Sequence, residues 1–411
     1  MAARRVLVGP IEAFVRIEGS GGIALLVAVI AAVVWVNLPA GETYHDAWDW
    51  GRTIDVASVS RSVSVHAFVN DGLMAVFFYV VGLEIKRELV EGELNTPRRA
   101  ALPAIAAAGG MIVPALIFTA FNAGSTGAHG WGVPMATDIA FAIGVMALLG
   151  TRVPFALKVF LLALAIADDL GAIAVIAVFY SGEIHVVALL VGIGCLAAVA
   201  VALRYGIDAW PLYLALGIGA WLGVLESGVH ATIAGVALGF LTSARCKPGG
   251  ESALDRIERM LHPWVSYLVV PVFALANAGV AVSSDALHAA VTSRIALGAG
   301  LGLLLGKPAG IVGAAWLAVR LGFGDLPHGV RWAHMAGAGM LGGIGFTVSL
   351  FITGLAFDDP GVVTDAKIGI FAASMASGAL GLAWLWVVGR PTPERAPEPS
   401  VRHARRDEPV S

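Results

Sequence analysis

Long apolar stretches separated by short polar segments dominate the chain of 411 residues. Each stretch has about 20 residues, the length of an α-helix that crosses ~30 Å of hydrocarbon. Apolar and polar positions do not alternate within them, which indicates helices rather than the strands of a membrane barrel. The pattern predicts an all-α polytopic membrane protein with twelve transmembrane helices. The predicted spans are residues 19–38, 66–85, 100–121, 134–150, 155–180, 184–203, 209–225, 228–243, 262–281, 294–318, 332–357 and 363–388.

The composition agrees with a membrane location. Asp, Glu, Lys and Arg make up 13% of the chain and hydrophobic residues 58%, whereas about 25% of a typical soluble domain is charged. So few charges cannot cover a soluble surface, and the composition therefore excludes a soluble enzyme, a disordered protein and a nucleic-acid-binding protein. We expect a transporter surrounded by membrane lipid, and not an enzyme.

Basic residues concentrate on one side of this map. Twelve spans place both termini on the same side, where 21 of the 26 Lys and Arg residues fall, against four on the other side and Lys307 within a span. Because basic loops stay in the cytoplasm, both termini are predicted to be cytoplasmic, in a plasma (inner) membrane. The map predicts a cytoplasmic segment at 1–18, a transmembrane domain at 19–388 and a disordered cytoplasmic tail at 389–411.

The external loop at about residues 39–65 contains a segment with the pattern of a strand. Serine occupies every even position from Ser58 to Ser64 within Val56–Val65, and this period of two predicts a β-strand. Two interpretations are open. The strand pairs locally in a hairpin, or it is an edge strand that pairs with the same strand of a second copy of the chain.

Six ionisable side chains lie at membrane depth, where a charge costs about 2.5–3.5 kcal/mol to insert. Asp168 and Asp169 interrupt the apolar run of span 5; the others are Asp71 in span 2, Asp138 in span 4, His230 in span 8 and Lys307 in span 10. Burial and mutual repulsion oppose the ionisation of two adjacent aspartates, and a small hard cation such as Na+ or Li+ offsets that repulsion. Protons and a metal ion therefore compete for Asp168 and Asp169, which predicts exchange.

Several of these residues have a second interpretation. The aspartates could form a structural pair that caps a neighbouring broken helix, and Lys307 could extend to the membrane surface. Otherwise Lys307 is the cationic partner of one aspartate, with Asp168 favoured, or itself carries a proton. His230 is either a packing residue or a titrating one, and Asp71 lines an outer vestibule in the simplest view.

Spans 4 and 11 carry the signals of interrupted helices. Span 4 begins with Pro134, and span 11 contains Gly-Gly-Ile-Gly from Gly342, which indicates unwound backbone or close helix packing. Spans 3–5 and 10–12 have opposite orientations, which predicts an inverted-topology repeat whose interrupted helices 4 and 11 cross at the midplane. Helix ends that meet there expose partial charges. Asp138 would offset N-termini, Lys307 would offset C-termini, and Thr137 offers Na+ an oxygen.

A cluster of charges adjoins spans 2 and 9 on the predicted cytoplasmic side. It consists of Glu84, Lys86, Arg87 and Glu88 after span 2 and of Glu258, Arg259 and His262 before span 9. Such charges are typical of solvated loop ends. Alternatively they surround a cytoplasmic funnel, in which protonation of Glu84, Glu258 or His262 regulates transport with pH.

Eight motifs together resemble the NhaA family of sodium/proton antiporters, a family with the inverted repeat described above. Four are A-T-D-I-A-F-A-I-G-V at 136–145, A-I-A-D-D-L-G-A-I at 165–173, G-V-H-A-T-I-A-G-V at 228–236 and G-K-P-A-G-I at 306–311. The others are G-L-E-I-K-R-E-L at 82–89, L-H-P-W-V-S-Y at 261–267, F-A-L-A-N-A-G-V at 273–280 and G-I-G-F-T-V-S-L-F-I at 343–352. The resemblance covers the chain except its termini.

The resemblance implies electrogenic exchange of cytoplasmic Na+ (or Li+) for external H+, for pH and Na+ homeostasis, with no cofactor besides the transported ions. It implies roles for specific residues: ion binding by Asp168 and Asp169, charge pairing of Lys307 with Asp168, crossed-helix assembly by Thr137 and Asp138, and pH regulation by Glu84 and Glu258. It also implies a homodimer formed through the external hairpin around Val56–Val65. Arg259 departs from the pattern, because a titratable histidine would fit a pH-responsive cluster at its position.

Two other classes of protein carry buried aspartates or bind Na+. An intramembrane aspartyl protease would place its catalytic aspartates on two different helices, one of them in a G-x-G-D motif, whereas Asp168 and Asp169 share one helix. A Na+-coupled solute symporter on a related inverted-repeat scaffold is the remaining alternative, and it would need a pocket for an organic substrate.

Overall fold

A computed structural model describes residues 2–56, 59–207, 209–245 and 251–389, with the side chains of these residues except at 2–19, 52–63 and 285–287. Residues 390–411, nearly all of the predicted disordered tail, lie outside the described residues. Helices form almost the whole of the described structure.

The helices are numbered here in chain order. They are α1 (Ala2–Asn37), α2 (Glu42–Asp49), α3 (Val65–Val90), α4 (Pro97–Asn122), α5 (Ile139–Leu148), α6 (Phe155–Phe179), α7 (Val186–Arg204), α8 (Trp210–Glu226), α9 (Thr232–Leu241), α10 (Ala253–Asn277), α11 (Ser284–Thr292), α12 (Arg294–Arg320), α13 (Trp332–Gly342), α14 (Phe346–Ala356) and α15 (Pro360–Val388). Three of them contain π-helical stretches, at Phe68–Leu73, Val265–Val269 and Gly302–Gly306. A 3-10 segment, Thr126–Met135, precedes α5, and short 3-10 turns lie at Glu93–Asn95 and Gly150–Arg152.

Eight helices of the described chain are long and apolar enough to cross a membrane: α1 from Ser20 onward, α3, α4, α6, α7, α10, α12 and α15. Two further pairs qualify only together, because each bends at a short break. The segment Thr126–Met135 meets α5 at 42°, and α13 meets α14 at 43°. The chain is therefore a nearly all-helical polytopic membrane protein with eight candidate spans, or ten when each bent pair counts as one. The apolar helices α8 and α9 are shorter, with 17 and 10 residues.

Helix α6, which carries both adjacent aspartates, lies at the centre of the molecule. In the most apolar stretch of 18 residues of α6, 67% of the residues are buried inside the fold, whereas in that of α7 only 17% are buried. α7 exposes large apolar side chains such as Val187 and Leu190, which suits a helix in contact with lipid. The aspartates are therefore held at the most enclosed position among the candidate spans.

Helix α10 begins nine residues before the predicted span at 262–281. Its first part, Ala253–Trp264, is amphipathic and buries Glu258 and His262 while other charges face outward. A charged amphipathic stretch does not register as an apolar span, so hydropathy places the start of the helix too late. Glu258, Arg259 and His262 therefore belong to the helix that forms the span, and the prediction that they precede it was wrong.

The predicted strand forms a local hairpin. β1 (Gly51–Val56) and β2 (Val59–Ser64) pair antiparallel, with Gly51 opposite Ser64 and Val56 opposite Val59. The hairpin joins α2 to the start of α3, and we call this end of the molecule the hairpin side. The opposite end, where α3 ends and α10 begins, is called the basic side. Local pairing was one of the two interpretations, and pairing with a second copy stays a prediction.

Tyr44 of α2 fastens the hairpin side to the end of α10. Its hydroxyl donates, in a shared hydrogen bond, to the carbonyls of Leu275 (2.7 Å) and Ala276 (2.8 Å) and accepts from the N–H of Gly279 (3.1 Å). The last carbonyls of a helix have no partner within it. Burial raises the pKa of Tyr44 to about 12, so the hydroxyl keeps its proton at neutral pH and remains a donor.

Close backbone contact holds α3 against α9. A Cβ atom added to Gly235 of α9 would lie 2.2 Å from the carbonyl oxygen of Ala75 in α3, so the two backbones touch at this point. On the basic side, Nζ of Lys86 donates to the carbonyls of Phe240 (2.7 Å) and Thr242, at the end of α9. These contacts fix the position of α3, which lines the site described below.

Candidate functional site

The two bent helix pairs meet at their breaks. The N–H of Asp138 donates to the carbonyl of Ile344 (2.6 Å), and the hydroxyl of Thr137 donates to the carbonyl of Gly342 (2.9 Å). The breaks lie at 136–138 and 343–345, where Pro134 and the run of glycines predict unwound backbone. Backbone carbonyls that lose their helical partners at one break thus accept hydrogen bonds from residues at the other break. Buried polar groups require such partners.

Asp138 accepts hydrogen bonds from the N-termini of two helices. Oδ1 accepts from the N–H of Phe141 in α5 (3.0 Å), and Oδ2 accepts from the N–H (3.1 Å) and the hydroxyl (2.6 Å) of Thr347 in α14. First-turn N–H groups lack partners within their helix and carry partial positive charge. The buried carboxylate therefore stabilises both helix ends at once.

Sequence analysis did not identify Thr347. It lies 209 residues from Asp138, and no pattern links two positions at such a separation. The only local signal is its place just after the glycines of span 11, where a first-turn hydroxyl could contact an acidic residue from the other interrupted helix.

Asp168 and Lys307 form a fully buried ion pair. Lys307 Nζ lies 2.5 Å from Asp168 Oδ2, and both side chains have 0% exposure. Lys307 directly follows the π-helical stretch Gly302–Gly306 of α12, a local irregularity that occurs often at functional sites. Oδ1 of Asp168 makes no hydrogen bond of ordinary geometry among the described residues, and Thr137 lies next to this carboxylate. The ammonium group thus lies at the aspartate and not at a membrane surface.

Asp169 borders a cavity of about 50 Å³. The polar residues that line it with Asp169 are Thr137, Asp138 and Thr347 at the crossing, and Glu84, His262 and Ser266 toward the basic side. Successive helical residues lie about 100° apart, so Asp169 faces the cavity while Asp168 faces Lys307. The cavity connects one of the two aspartates with the charged cluster near the basic side.

Two ion pairs join α3 to α10 at the basic-side end of the cavity. His262 Nε2 lies 3.6 Å from Glu84 Oε1, and Arg87 Nη1 lies 2.5 Å from Glu258 Oε1. Glu84, Glu258 and His262 are buried. Glu84 therefore contacts His262, and Glu258 contacts Arg87, across two helices instead of lying at solvated loop ends.

Asp71 and His230 do not line this cavity. Asp71 lies in the π-helical stretch of α3, where its carbonyl accepts a hydrogen bond from Trp221 Nε1 (3.1 Å). His230 is half-buried and precedes α9 instead of lying within a span, and its ring centroid is 6.1 Å from that of Phe351. Both residues are on the hairpin side, away from the charged cluster.

Two further sequence features lie at the surface of the basic side. Arg259 pairs with Glu251, and 70% of the Arg259 side chain is exposed. The sequence G-F-G-D at 322–325 has the form of the aspartyl protease motif, but it lies in the loop after α12 with Asp325 exposed. It therefore cannot supply a catalytic aspartate within a span.

Buried ionisable residues at the crossing of two interrupted helices, within a polytopic helical fold, define a secondary transporter. Comparison with known proteins gives the family. The model of the family Na+/H+ antiporter 1 matches residues 12–385. The chain therefore belongs to the Na+/H+ antiporter 1 family, as the motifs had indicated.

The relatives match over nearly their whole length. The Na(+)/H(+) antiporter NhaA of Escherichia coli O139:H28 (strain E24377A / ETEC) is 47% identical over 383 residues, which are 92% of this chain and 98% of that protein. The NhaA antiporter of Shigella dysenteriae serotype 1 (strain Sd197) matches with the same identity and coverage. That of Escherichia coli O1:K1 / APEC is 46% identical with the same coverage.

Proposed function

We propose that this chain exports Na+ or Li+ in exchange for H+ and that both bind at the Asp168/Asp169 pair. Membership in an antiporter family supports the exchange. The observation that carries the site assignment is the geometry of the pair, in which Asp169 borders the cavity and Asp168 is held by the buried Lys307. The alternative of a Na+-coupled solute symporter is not favoured by this family membership.

Competition for the same oxygens couples the two ions. A cation that enters the cavity first meets Asp169, and it can then bind Asp168 through Oδ1, which makes no hydrogen bond of ordinary geometry among the described residues. Its charge replaces that of Lys307 beside Asp168, so the ion pair is released. The cation also offsets the repulsion between two ionised carboxylates, and protons that return to them remove the negative charge that holds it.

The distribution of basic residues predicts how the chain is oriented in the membrane. We propose that the basic side and both termini are cytoplasmic, in the inner membrane, and that the hairpin side is external. In this arrangement α8 and α9 complete a set of twelve spans.

The repeat consists of α4 to α6 and α12 to α15 in opposite orientations, and the similar bends of 42° and 43° in its central members support it.

The first prediction concerns the pair itself. In everted membrane vesicles that have built up a proton gradient, Na+ or Li+ should dissipate it, and K+ should do so much less. Asp168→Asn and Asp169→Asn should each abolish this response, because a neutral amide can neither release a proton nor offset the charge of a cation. The readout is the recovery of fluorescence of a pH-sensitive dye after salt addition.

A surface carboxylate provides the matched control. Asp325→Asn removes one acidic group from an exposed loop and should leave the response intact. Each variant must be present in the membrane at the level of the parent. A full response in both pair variants would refute the site assignment, and its absence in the parent chain would refute the antiporter itself.

We also propose that Glu84, Glu258 and His262 adjust transport to pH. Glu84 and His262 line the cavity that leads to Asp169, and Glu258 holds Arg87 next to them. A change of protonation in this cluster alters the contacts between α3 and α10, and it therefore alters the walls of the cavity. Arg259 pairs with Glu251 at the surface and is not part of this cluster.

A second prediction tests this regulation. Glu84→Gln and Glu258→Gln should each change the dependence of antiport on pH. For Glu84→Gln the profile should differ from that of the parent, since a neutral amide no longer offers His262 a charged partner. Rates of dye recovery across a pH series provide the measurement, and Glu183→Gln, an exposed carboxylate on the hairpin side, is the control. Profiles that superimpose on that of the parent would exclude the cluster as a sensor.

Finally, we propose that the chain forms a homodimer through the hairpin of β1 and β2. A hairpin of two strands has two outer edges, and each edge presents backbone groups that a strand of a second copy can pair with. Such pairing would lie outside the membrane, on the external side.

A further inference from the structure

Three aromatic rings gather around Phe351 of α14. The ring centroid of Phe351 lies 5.6 Å from that of Phe78 in α3, and 6.1 Å from those of Phe273 in α10 and His230 before α9. The three phenylalanine side chains are at most 3% exposed. Residues from four separate segments thus form one apolar contact, which is called the Phe351 cluster below.

The Phe351 cluster lies directly beyond the cavity on its hairpin side. Val348 of α14 and Val270 of α10 line the cavity, and both helices run from there toward the hairpin side. Phe351 and Phe273 follow these residues by three positions, roughly 4.5 Å along a helix axis. α3 runs in the opposite direction, so Phe78, which follows the cavity-lining Phe77, lies beside the cavity and packs there against Phe351. The rings of Phe351 and Phe273 therefore cover the end of the cavity that faces away from the basic side.

A polar network lies on the other side of these rings. Asn277, one helical turn beyond Phe273, donates to Asn70 Oδ1 (2.8 Å), and Asn70 is within hydrogen-bond distance of the His66 ring (3.3 Å). These residues are close to the start of α3, on the hairpin side. Along this path, one layer of aromatic rings thus separates polar side chains of the hairpin side from the cavity that holds Asp169.

We propose that Phe351 is the gate that closes the ion site to the hairpin side. This inference rests on the proposed function, because an exchanger must expose the same site to each side in turn. In the closed state the ring of Phe351 fills the space between Phe78 and Phe273. When the site opens to the hairpin side, α14 must move this ring away from α3 and α10, which joins the polar network to the cavity.

The test measures access and does not depend on ion exchange. Cys195 and Cys246 are replaced by serine, and Val348→Cys places a thiol on the cavity wall. A charged, membrane-impermeant maleimide is then added to right-side-out vesicles, which present the external face. With Phe351 in place the thiol should react slowly. Phe351→Ala should accelerate the reaction by about tenfold or more, because the closed state loses its ring contacts.

Two variants serve as controls. Phe351→Leu keeps much of the apolar volume, and its labelling should remain close to that of the parent. Phe346→Ala removes a buried ring from the same helix, one that contacts Phe141 and Phe371 instead of the Phe351 cluster, and it should not open this path. Everted vesicles show whether the thiol is reactive from the basic side in each variant.

Two results would overturn the gate. One is unchanged external labelling of Phe351→Ala when the thiol still reacts in everted vesicles, and the other is equal acceleration by Phe346→Ala. Failure of the proposed function has different signatures. It would appear as an absence of antiport in the parent. It would also appear if the thiol in the parent reacted from the external side but not from the basic side.

Discussion

The ion pair of Asp168 and Lys307 places opposite charges next to each other where water does not reach them. Removing two charges from water is costly, and their attraction repays the cost only while both partners are present. Each residue therefore depends on the other for stability. In the proposed exchange a cation takes the place of Lys307 beside the aspartate, and this dependence would then make the pair responsive to the ion.

A third prediction follows for stability. Lys307→Met leaves an uncompensated carboxylate in a buried site and should cost about 3–5 kcal/mol of unfolding free energy. Combining it with Asp168→Asn should cost much less than the sum of the two single changes, because the double variant contains no isolated charge. Thermal unfolding of the purified protein in detergent measures all three variants.

Arg320→Met provides the comparison at the end of the same helix. Arg320 lies at the surface, where its guanidinium is 5.2 Å from the Trp316 ring centroid, and its loss should cost no more than about 1 kcal/mol. Additive effects of Lys307→Met and Asp168→Asn would mean that the two residues do not stabilise each other.

Some residues of the site could be found from the sequence because membrane depth makes them exceptional. Asp168, Asp169 and Lys307 interrupt apolar runs, and each such interruption requires an explanation. The contacts of Thr347 and Arg87 could not be found in this way. Thr347 is an ordinary residue in an apolar helix, and Arg87 is one of several charges near a helix end, so only the folded structure shows which partners they meet.

Helices α3 and α9 behave as one element because their backbones are in contact. Gly82 and Gly235 lie at this contact, and a Cβ on Gly82 would be 2.8 Å from the carbonyl oxygen of Val236. α3 also carries Glu84 into the cavity and Phe78 into the Phe351 cluster. A displacement of α9 is therefore passed directly to both ends of the ion pathway.

The fourth prediction concerns this contact. Gly235→Ala would bring a methyl group to 2.2 Å from the carbonyl oxygen of Ala75, so the helices must separate, at a cost of about 1–3 kcal/mol. Gly313→Ala in α12 is the matched change, because nothing lies within 4 Å of the added atom. It should be neutral or stabilise by up to about 1 kcal/mol. Thermal unfolding compares the two, and equal melting temperatures would contradict the close contact.

At the level of elements, the sequence predicted a polytopic helical membrane protein, whereas the number of twelve spans stays a prediction beside the eight to ten candidate spans of the described chain. The breaks at 136–138 and 343–345 could be located because proline and glycine weaken helices. Glycine or proline also lies in or beside the π-helical stretches of α3, α10 and α12, so these residues alone do not distinguish a break from an additional residue in a helical turn. The helix α2 was missed because it is short and polar.

The distribution of charge and the position of the hairpin orient the whole molecule. The charged cluster that lines the cavity lies toward the basic side, and the hairpin lies at the opposite end. A dimer joined only through hairpins would leave the cavity and the crossing of each copy separate. Each chain would then contain a complete site, with the hairpins acting as an external connection between two exchangers.

The fifth prediction tests this assembly. With Cys195 and Cys246 replaced by serine, Ser62→Cys in β2 should form a disulfide between two chains when membranes are oxidised, which a non-reducing gel detects as a dimer. Ser125→Cys, in an exposed loop outside the hairpin, should remain monomeric. A Ser62→Cys chain that stays monomeric, or dimers of equal yield from both positions, would argue against pairing through the hairpin.

The size of the cavity beside Asp169 has a consequence for selectivity. A volume of about 50 Å³ has room for only about three or four water-sized spheres. Under the proposed function, an ion that reaches the aspartates could not bring a full hydration shell, so oxygens of the protein would have to replace the waters that it leaves behind. Discrimination between alkali metals would then arise from dehydration. The narrow cavity would bind most tightly the ion whose lost hydration energy is best replaced by contacts with carboxylate and hydroxyl groups.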